Sequence, residues 1–368
     1  MKNTMKFFFW LVVLVGMGWF ADAQQIDAPQ PIASAATNES ATVDKPAQTF
    51  VFTGAWFQSA AAGQQAPKKT KTQSGPPKPM NPPEIDPSMV GYIDDASIGN
   101  QVRVRFDAGF DTPRPDRAEY FYQGSPAPNP PTSATQRTLN FQELYLSGEY
   151  APFKRLSAFA MLPFRWIQPI FIVAPGTTPG LSDEGGISDL QAGLKFAVLS
   201  TERSLVTLQL RSYFPTGDGP HGLGTGHYSI EPLVLFYQKL NDRTSLEGEA
   251  GDTHPIGGTM YMNPPSPPRQ WSADVAMYGL GASYRLIQRD SYSFAPVLEL
   301  VAWHVYGGLQ TGSNNQAQSA AGINVFNAKL GGRISFTNGS SIYAGYGRGI
   351  TSDIWYRNLF RIEYRKSF

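Results

Sequence analysis

The sequence contains no cysteine and has few charged residues. The absence of cysteine excludes disulfide frameworks, thiolate metal sites and cysteine nucleophiles. Charged residues make up only 16% of the 368 positions, whereas ordinary soluble domains have about 25%. The formal net charge is +1, so a nucleic-acid partner is not expected. Beyond the N-terminus there is no apolar run of about 20 residues, which excludes a protein with several membrane-spanning helices.

The first 23 residues predict an export signal. Lys2 and Lys6 precede the apolar stretch 7–20, and residues 21–23 (Ala-Asp-Ala) match the small-x-small pattern that a signal peptidase cleaves. A membrane anchor is the alternative, but this apolar stretch is short for a hydrocarbon layer of about 30 Å. We therefore expect a signal peptide over residues 1–23 that is cleaved near Ala23.

The next part of the chain, residues 24–90, differs in composition from the rest. It contains ten prolines and the Ala/Gln-rich run 59–66. Proline removes backbone hydrogen-bond donors and favours extended geometry, so this part should not pack a core. We predict a disordered periplasmic extension over residues 24–90 and a folded domain over residues 91–368.

Beyond residue 98, apolar and polar residues alternate. Val102, Val104 and Phe106, for example, alternate with Arg103 and Arg105. A period of two is typical of a strand with one apolar and one polar face. Strands of about 9–11 residues cross a bilayer when they are tilted. Twelve segments are predicted as strands, near 98–110, 139–150, 155–165, 187–199, 204–214, 228–240, 243–254, 272–285, 291–304, 323–336, 341–350 and 357–368.

The connections between these segments alternate in length. Short ones (151–154, 200–203, 241–242, 286–290 and 337–340) are interleaved with long ones (111–138, 166–186, 215–227, 255–271 and 305–322). Outer-membrane barrels have short periplasmic turns and longer outside loops. Lipid offers no partner for backbone groups, so the first strand must pair with the last. The sequence therefore predicts an all-β, transmembrane antiparallel up-and-down β-barrel of about 12 strands in the outer membrane of a bacterium with two membranes.

The last predicted strand ends in alternating apolar and aromatic residues. Phe360, Ile362 and Tyr364 precede the terminal Phe368, although Lys366 departs from the alternation. A terminal aromatic residue on such a strand resembles the signal that outer-membrane assembly machinery recognises. We expect this machinery and outer-membrane lipid to be partners of the protein.

Two neighbouring stretches carry a resemblance to a known family. Residues 186–196 (GISDLQAGLKF) are followed by a strand that ends at Phe214 and by Pro215-Thr216-Gly217. This resembles the meta-pathway phenol-degradation family of outer-membrane transporters, whose members carry a G-x-x-D-L-x-x-G-x-K/R-[FY] strand and then a strand that closes in P-T-G. The resemblance implies a porin-like β-barrel over residues 139–368 that takes up small, often aromatic, organic molecules. The long proline-rich extension departs from that family.

Charged residues on the predicted inward faces are the candidates for lining a lumen. A mixed lining favours small neutral or zwitterionic solutes, whereas a ring of one sign selects by charge. We predict a channel or transporter for small solutes, aromatic or otherwise hydrophobic ones among them. The candidates are Arg103, Arg105, Lys195, Arg211, Lys329, Arg333, Arg361 and Arg365 together with Glu143, Glu149, Glu247, Glu249, Glu299 and Glu363.

A filled barrel that only anchors or supports the membrane is the alternative to a channel. Barrels of about eight strands are filled by side chains and those of about 16–18 hold water, so twelve strands lie between the two cases. In a filled barrel, the inward-facing charges would only satisfy one another.

A hydrolase is a further alternative, because His227 and Ser229 lie on one face of a predicted strand, as a Ser nucleophile and its base require. The Asn-Gly that follows the serine in outer-membrane phospholipases is replaced here by Ile230-Glu231. Asp218 and His221 share a Gly-rich loop with His227, but the spacing matches no closed metal site. We therefore expect no enzyme activity, no metal and no cofactor.

Overall fold

The computed structural model describes residues 88–112, 134–173, 183–257, 260–261, 269–270, 272–311 and 317–368. All of these residues fall within one compact unit, Pro76–Phe368. The predicted signal peptide and residues 24–87 of the predicted extension lie outside this part of the chain.

Eighteen strands are present in the described residues. They are β1 (Gln101–Thr112), β2 (Ala134–Phe153), β3 (Leu156–Val173), β4 (Glu184–Ile187), β5 (Leu190–Ser200), β6 (Ser204–Phe214), β7 (Tyr228–Lys239), β8 (Thr244–Ile256), β9 (Met260–Tyr261), β10 (Arg269–Gln270), β11 (Val275–Tyr284), β12 (Ile287–Gln288), β13 (Tyr292–Val305), β14 (Leu309–Thr311), β15 (Ala317–Ser319), β16 (Asn324–Phe336), β17 (Ser340–Gly349) and β18 (Asn358–Ser367). The described residues also contain one 3-10 turn, Gly219–His221, between β6 and β7.

Twelve long strands form a closed barrel. In ring order they are β1, β2, β3, β5, β6, β7, β8, β11, β13, β16, β17 and β18, and every neighbouring pair is antiparallel. The ring closes because β1 also pairs with β18, from Gln101↔Ser367 to Phe110↔Asn358. The predicted antiparallel barrel of about 12 strands is confirmed, and closure leaves no unpaired edge in the ring of twelve long strands.

Some strand boundaries differ from the prediction. The hairpin of β2 and β3 extends to the pair Ala134↔Val173, because backbone pairing continues beyond the alternating stretch. The predicted start at residue 187 belongs to β4, which pairs separately with β3. Pro232 lies within β7, and the β7–β8 pairing is interrupted beside it, between Ile230↔His254 and Leu233↔Gly251, as expected for a residue that has no N–H to donate.

The connections sort onto the two ends of the barrel. The short turns 154–155, 201–203, 240–243, 285–291 and 337–339 lie at the end where β1 begins and β18 stops, which we call the short-turn end. At the opposite end, which we call the long-connection end, β1, β3, β6, β8, β13 and β17 end and the next barrel strands begin, and the described connections there, such as 215–227 and 350–357, are longer. This separation follows from strict up-and-down order.

The outer face of the barrel is apolar. Val102, Val104 and Phe106 of β1 are 38–43% exposed, and at least eleven of the twelve long strands carry an exposed large apolar side chain. A protein in water rarely presents so continuous an apolar surface, whereas a barrel in lipid requires one. Within the described ranges, no helix has the length and apolar character needed to cross a bilayer.

Candidate functional site

Residues 88–100 precede β1, and we call them the internal segment, because all of them except the exposed Asn100 lie inside the barrel. It belongs to no strand, and residues such as Val90 are almost fully buried. Arg365, near the end of β18, donates hydrogen bonds to the carbonyl of Ser88 (3.4 Å) and to Asp95 Oδ2 (2.9 Å). Both limbs of the segment therefore lie towards the short-turn end, and the chain turns back near Tyr92.

Glu299 of β13 holds the turn of the internal segment. Its carboxylate accepts hydrogen bonds from three successive backbone N–H groups at 3.1, 2.8 and 2.9 Å, those of Gly91, Tyr92 and Ile93. The hydroxyl of Tyr343 donates a further hydrogen bond at 3.0 Å. A buried backbone outside a ladder needs such partners, because unsatisfied N–H groups are costly.

Two carboxylates of β8 hold the two limbs of the segment. Glu247 accepts a hydrogen bond from the backbone N–H of Met89, and Glu249 accepts one from that of Asp94, both at 2.9 Å. Glu247 and Glu249 are two residues apart, so both face inward, as the period of a strand requires. The same strand thus anchors the chain on either side of its turn.

Two arginines bind the carbonyl groups of the first limb. Arg333 of β16 donates to the carbonyls of Met89 (3.0 Å) and Val90 (2.8 Å). Arg361 of β18 donates to the carbonyl of Gly91 at 2.6 Å. Carboxylates take the N–H groups and arginines take the carbonyls, so a mixed-charge wall satisfies both kinds of backbone group.

The second limb carries acidic side chains of its own. Asp94 is bound by Arg211 and by the amide of Gln209, the latter at 2.9 Å. The carbonyl of Asp95 accepts a hydrogen bond from Lys195 at 2.9 Å. These contacts fix the limb to β5 and β6 as well as to β18.

Arginine neighbours keep these two acids ionised. Burial alone would raise the pKa of Asp94, but Arg211 and Gln209 lower it to about 2. Burial also opposes ionisation of Asp95, yet Arg365 and Lys195 hold its pKa below the usual value. The attraction between the segment and the wall is therefore present at neutral pH.

All fourteen predicted lumen residues are buried or half-buried inside the barrel. Eight of them hydrogen-bond to the internal segment: Lys195, Arg211, Glu247, Glu249, Glu299, Arg333, Arg361 and Arg365. Five form ion pairs with other side chains of the wall: Arg103, Arg105, Glu143, Glu149 and Glu363. Three further inward-facing charges are buried and pair with candidates, Asp107 with Arg105, Arg165 with Glu143 and Glu231 with Arg211. The phase of the strands in the sequence is enough to identify them as inward-facing.

Lys329 of β16, the fourteenth residue, contacts aromatic rings. Its Nζ lies 4.0 Å from the ring centroid of Tyr92, 5.6 Å from that of Trp303 and 5.8 Å from that of Tyr356. Among the described residues, no carboxylate lies within 4.0 Å of this ammonium, and no acceptor takes a hydrogen bond from it. The side chain is only 5% exposed, so the direct contacts of this buried ammonium in the described residues are ring faces, while Glu299, Asp107 and Glu249 attract it from a greater distance.

A cavity of about 190 Å³ remains between the internal segment and the long-connection end. Tyr92 and Asp94 of the segment line one side, and Trp355 and Leu359 line another. Lys329 contributes to the wall between them. The internal segment therefore separates this cavity from the short-turn end.

Buried apolar side chains surround the long-connection end of the interior, and we call them the mouth cluster. Trp303, packed against this cluster, lies with its ring centroid 4.6 Å from that of Trp355. An apolar mouth thus adjoins the aromatic surroundings of Lys329. The cluster consists of Leu139, Phe141, Ile167, Leu223, Val275, Val305, Ala320, Ile323, Val325, Trp355, Tyr356 and Leu359.

Connection 215–227 is tied to the start of β5 by Asp189. The buried carboxylate accepts hydrogen bonds from the backbone N–H of Gly217 (3.1 Å), and from both the N–H and the hydroxyl of Thr225 (2.7 Å each). A side chain at Gly224 would collide with the Asp189 carboxylate. This anchoring places Leu223 in the mouth cluster, so the two stretches that carried the family resemblance meet in space.

The histidines of this connection form no catalytic pair with Ser229. His227 Nδ1 lies 3.1 Å from the carbonyl oxygen of Thr225, and the buried hydroxyl of Ser229 has no hydrogen-bond partner in the described part of the chain. His221 Nδ1 lies 2.7 Å from Asp218, and this hydrogen bond raises the pKa of the exposed imidazole. Within the described ranges, no three acidic or histidine side chains converge as a metal site would require.

The proposed assembly residues all point outward. Phe360, Ile362, Tyr364 and Phe368 are 39–78% exposed on the lipid-facing side of β18 and at its end. Phe360 contacts Phe110 and Tyr346, with ring centroids 6.1 and 5.1 Å apart respectively. They form part of the apolar belt and take no part in the interior.

No family model matches this sequence, so the resemblance to the meta-pathway phenol-degradation family stays a prediction. No curated protein matches it either. Several solved barrels resemble it in structure at low identity. An outer-membrane channel from Pseudomonas putida F1 is 15% identical with a TM-score of 0.49, and the match covers 77% of this chain and 100% of that one.

Two further solved structures give weaker matches. The NanC porin is 10% identical with a TM-score of 0.41, covering 73% of this chain and 100% of that one. A toluene transporter from Ralstonia pickettii is 11% identical with a TM-score of 0.37, covering 74% and 90%. All of these scores are below 0.5, so the architecture of this chain rests on its own strand pairing.

Proposed function

We propose that this protein is an outer-membrane channel for small solutes and that the internal segment closes it. The observation that carries the proposal is a charged barrel interior occupied by a stretch of chain that belongs to no strand. Because this stretch is outside the ladder, its withdrawal would break side-chain hydrogen bonds and leave every strand pair in place. Closure by a detachable segment is therefore compatible with a permanent barrel.

The outer membrane is the location that the exterior supports. Large apolar side chains such as Leu298, Leu300 and Leu330 are at least half exposed, and exposing them to water would be unfavourable. We propose that the export signal over residues 1–23 and the terminal aromatic strand bring the chain there, with the barrel-assembly machinery as partner. Aromatic or otherwise hydrophobic solutes, as the family resemblance implies, are the proposed cargo.

An anchoring barrel without transport is the second candidate, and the occupied interior is the observation that favours it. The two candidates differ in what happens when the internal segment is loosened. In a channel, loosening the segment opens a path from the cavity to the short-turn end. In an anchor, the interior stays impermeable whatever the segment does.

The test is conductance across a planar bilayer. Replacing Asp94 and Asp95 by asparagine removes the segment's ion pairs with Arg211 and Arg365 and alters no barrel strand. Asp242→Asn, at a fully exposed short turn, is the matched control. We expect larger or more frequent conductance steps from the Asp94→Asn/Asp95→Asn double variant than from the wild type and the control.

Two outcomes contradict the proposal. If all three proteins insert silently, the barrel is an anchor. If they conduct equally, the internal segment does not close the path. Heat-modifiable migration on a gel, which distinguishes a folded barrel from a boiled chain, verifies that each variant is folded.

A further inference from the structure

The charged side chains that line the cavity differ in whether they have hydrogen-bond or ion-pair partners. Asp107 accepts hydrogen bonds from Arg361 at 2.7 and 2.6 Å. Glu231 is bound by Thr253 at 2.6 Å and by Tyr213 at 3.1 Å. The other cavity carboxylates, Asp94, Glu143 and Glu249, also have polar partners. The lining carboxylates are therefore occupied, which disfavours a cationic ligand.

Lys329 is the opposite case. Its side chain is only 5% exposed and lines the cavity. No acceptor among the described residues takes a hydrogen bond from its ammonium group. An ammonium group has three hydrogen-bond donors, and leaving the donors of a buried charged group unsatisfied is costly even where carboxylates such as Glu299 attract it from a distance. Aromatic ring faces supply part of the stabilisation of the ammonium, but they are not conventional hydrogen-bond acceptors. An anion in the cavity would complete the site.

The surroundings of Lys329 indicate what kind of anion fits. Tyr92, Trp303 and Tyr356 lie within 6 Å of its Nζ, and the mouth cluster adjoins them. An engineered apolar cavity of about 150 Å³ holds benzene, so a cavity of about 190 Å³ has room for one such ring and a small polar group. A bare inorganic ion would leave the aromatic walls without contacts.

We propose that the cavity binds a small organic monocarboxylate, with its carboxylate on Lys329 and its apolar body against the aromatic walls and the mouth cluster. This inference rests on the proposed function, because it names the class of solute that the channel would hold. It assigns Lys329 as the residue that selects for negative charge. It also predicts that the ring of Tyr92, in the internal segment, contacts the bound solute.

The test is equilibrium binding of benzoate to the purified full-length protein in detergent, measured by calorimetry. Benzamide, of the same shape without the charge, and chloride are the comparison probes. Lys329→Met removes the ammonium at nearly constant volume, Lys329→Arg retains a positive charge, and Lys154→Met makes the same change at an exposed short turn. Heat-modifiable migration confirms that each variant is folded.

We expect the wild type and Lys154→Met to bind benzoate equally. A charge-assisted hydrogen bond in a buried site corresponds to about a tenfold to hundredfold change in affinity, so Lys329→Met should bind benzoate at least about tenfold more weakly. Lys329→Arg should retain most of the affinity. Benzamide should bind the wild type about as weakly as benzoate binds Lys329→Met.

Three results overturn the inference: no benzoate binding, equal binding by the wild type and Lys329→Met, or equal binding of benzamide and benzoate. If chloride binds as tightly as benzoate, the site binds any small anion, and this result would also contradict the inference. Binding is measured without transport, so the outcome is separate from the conductance test. A protein that conducts without binding benzoate overturns only this inference, and one that binds benzoate without conducting overturns only the channel.

Discussion

Glu299 and Lys329 stand opposite each other in the ladder between β13 and β16, yet they do not form an ion pair. Glu299 instead accepts the backbone N–H groups of the internal segment, while Lys329 lies on the ring of Tyr92. If the segment withdraws, Glu299 loses these three donors and keeps only the hydroxyl of Tyr343, which leaves most of the carboxylate's hydrogen-bonding capacity unsatisfied. Lys329 is the cation directly across the ladder, so we expect the two to pair in the open state.

The hold of Glu299 on the internal segment can be measured by cysteine accessibility. The chain has no native cysteine, and Val90 is almost fully buried, so a Val90→Cys protein reports withdrawal of the segment through its rate of maleimide labelling. Adding Glu299→Gln places an amide N–H where the segment needs only acceptors. We expect labelling to become about tenfold faster, because a hydrogen bond to a charged group contributes about 1.5–3 kcal/mol.

Glu202→Gln, in an exposed short turn, is the control for this experiment and should leave the rate unchanged. Equal labelling rates with and without Glu299→Gln would show that Glu299 does not hold the segment.

Acid should loosen the segment. The pKa of Asp94 is lowered to about 2 in the docked segment, whereas an unperturbed aspartate has a pKa of about 3.9. A carboxyl group whose pKa is lower in the docked segment than in the free one stabilises the docked state at pH values above its free pKa. This contribution disappears as the pH falls towards the pKa of the docked group. We expect wild-type conductance to rise as the pH falls from about 4 towards about 2.

The Asp94→Asn/Asp95→Asn protein lacks these titrating groups and should show a flatter pH profile over the same range. A rise of the same size in both proteins would assign the effect to other carboxylates.

Asp189 should control the order of connection 215–227. Asp189→Asn replaces a charged acceptor of three hydrogen bonds by a group with one oxygen and an unwanted donor. Leu223 is buried in the wild type. We expect subtilisin to cleave near it at least about tenfold faster in the variant than in the wild type, because charge-assisted hydrogen bonds are lost. Mass spectrometry locates the cleavage, and Asp242→Asn is the exposed control. An unchanged rate would mean that Asp189 does not restrain this connection.

The lipid-facing assignment of the outer surface predicts the effect of Leu330→Arg. Leu330 is 63% exposed in the middle of β16, and arginine on a lipid-facing strand costs about 2–4 kcal/mol at the bilayer midplane. We expect a loss of this size in the free energy of folding into lipid vesicles. Leu240→Arg, in the short turn 240–243, should cost about 1 kcal/mol or less, as expected near the interface. Equal costs at both positions would contradict the placement of the belt.

The barrel and its two faces could be predicted because strand periodicity is a local property. Once Val102 and Val104 are assigned to the outside, Arg103 and Arg105 must face inward. The same rule applies to Asp107, so the charged lining was accessible from the sequence. Strand bounds such as the start of β5 depended on pairing with β3 and could not be derived from one segment alone.

The internal segment could not be predicted, because its contacts are far away in the sequence. Met89 and Glu247 are 158 residues apart, and Val90 and Arg333 are 243 apart. Residues 88–97 also lack the alternation of a strand, and the strand predicted near 98–110 begins only at Gln101. The available signal was indirect: apolar residues such as Tyr92 and Ile93 stand between the predicted extension 24–90 and β1, where a linker would need none. Lys329 likewise appeared only as one inward cation among eight.

A disulfide between the internal segment and the wall tests the central claim most directly. A Cβ added at Gly279 of β11 would lie 3.0 Å from Cγ1 of Ile93, which places the two Cβ atoms within the limit of about 4.5 Å for a disulfide. The Ile93→Cys/Gly279→Cys protein should pass small solutes into liposomes only after reduction, while each single variant behaves the same with and without reductant. Equal solute flux through the oxidised and reduced double variant would contradict closure of the channel by residues 88–100.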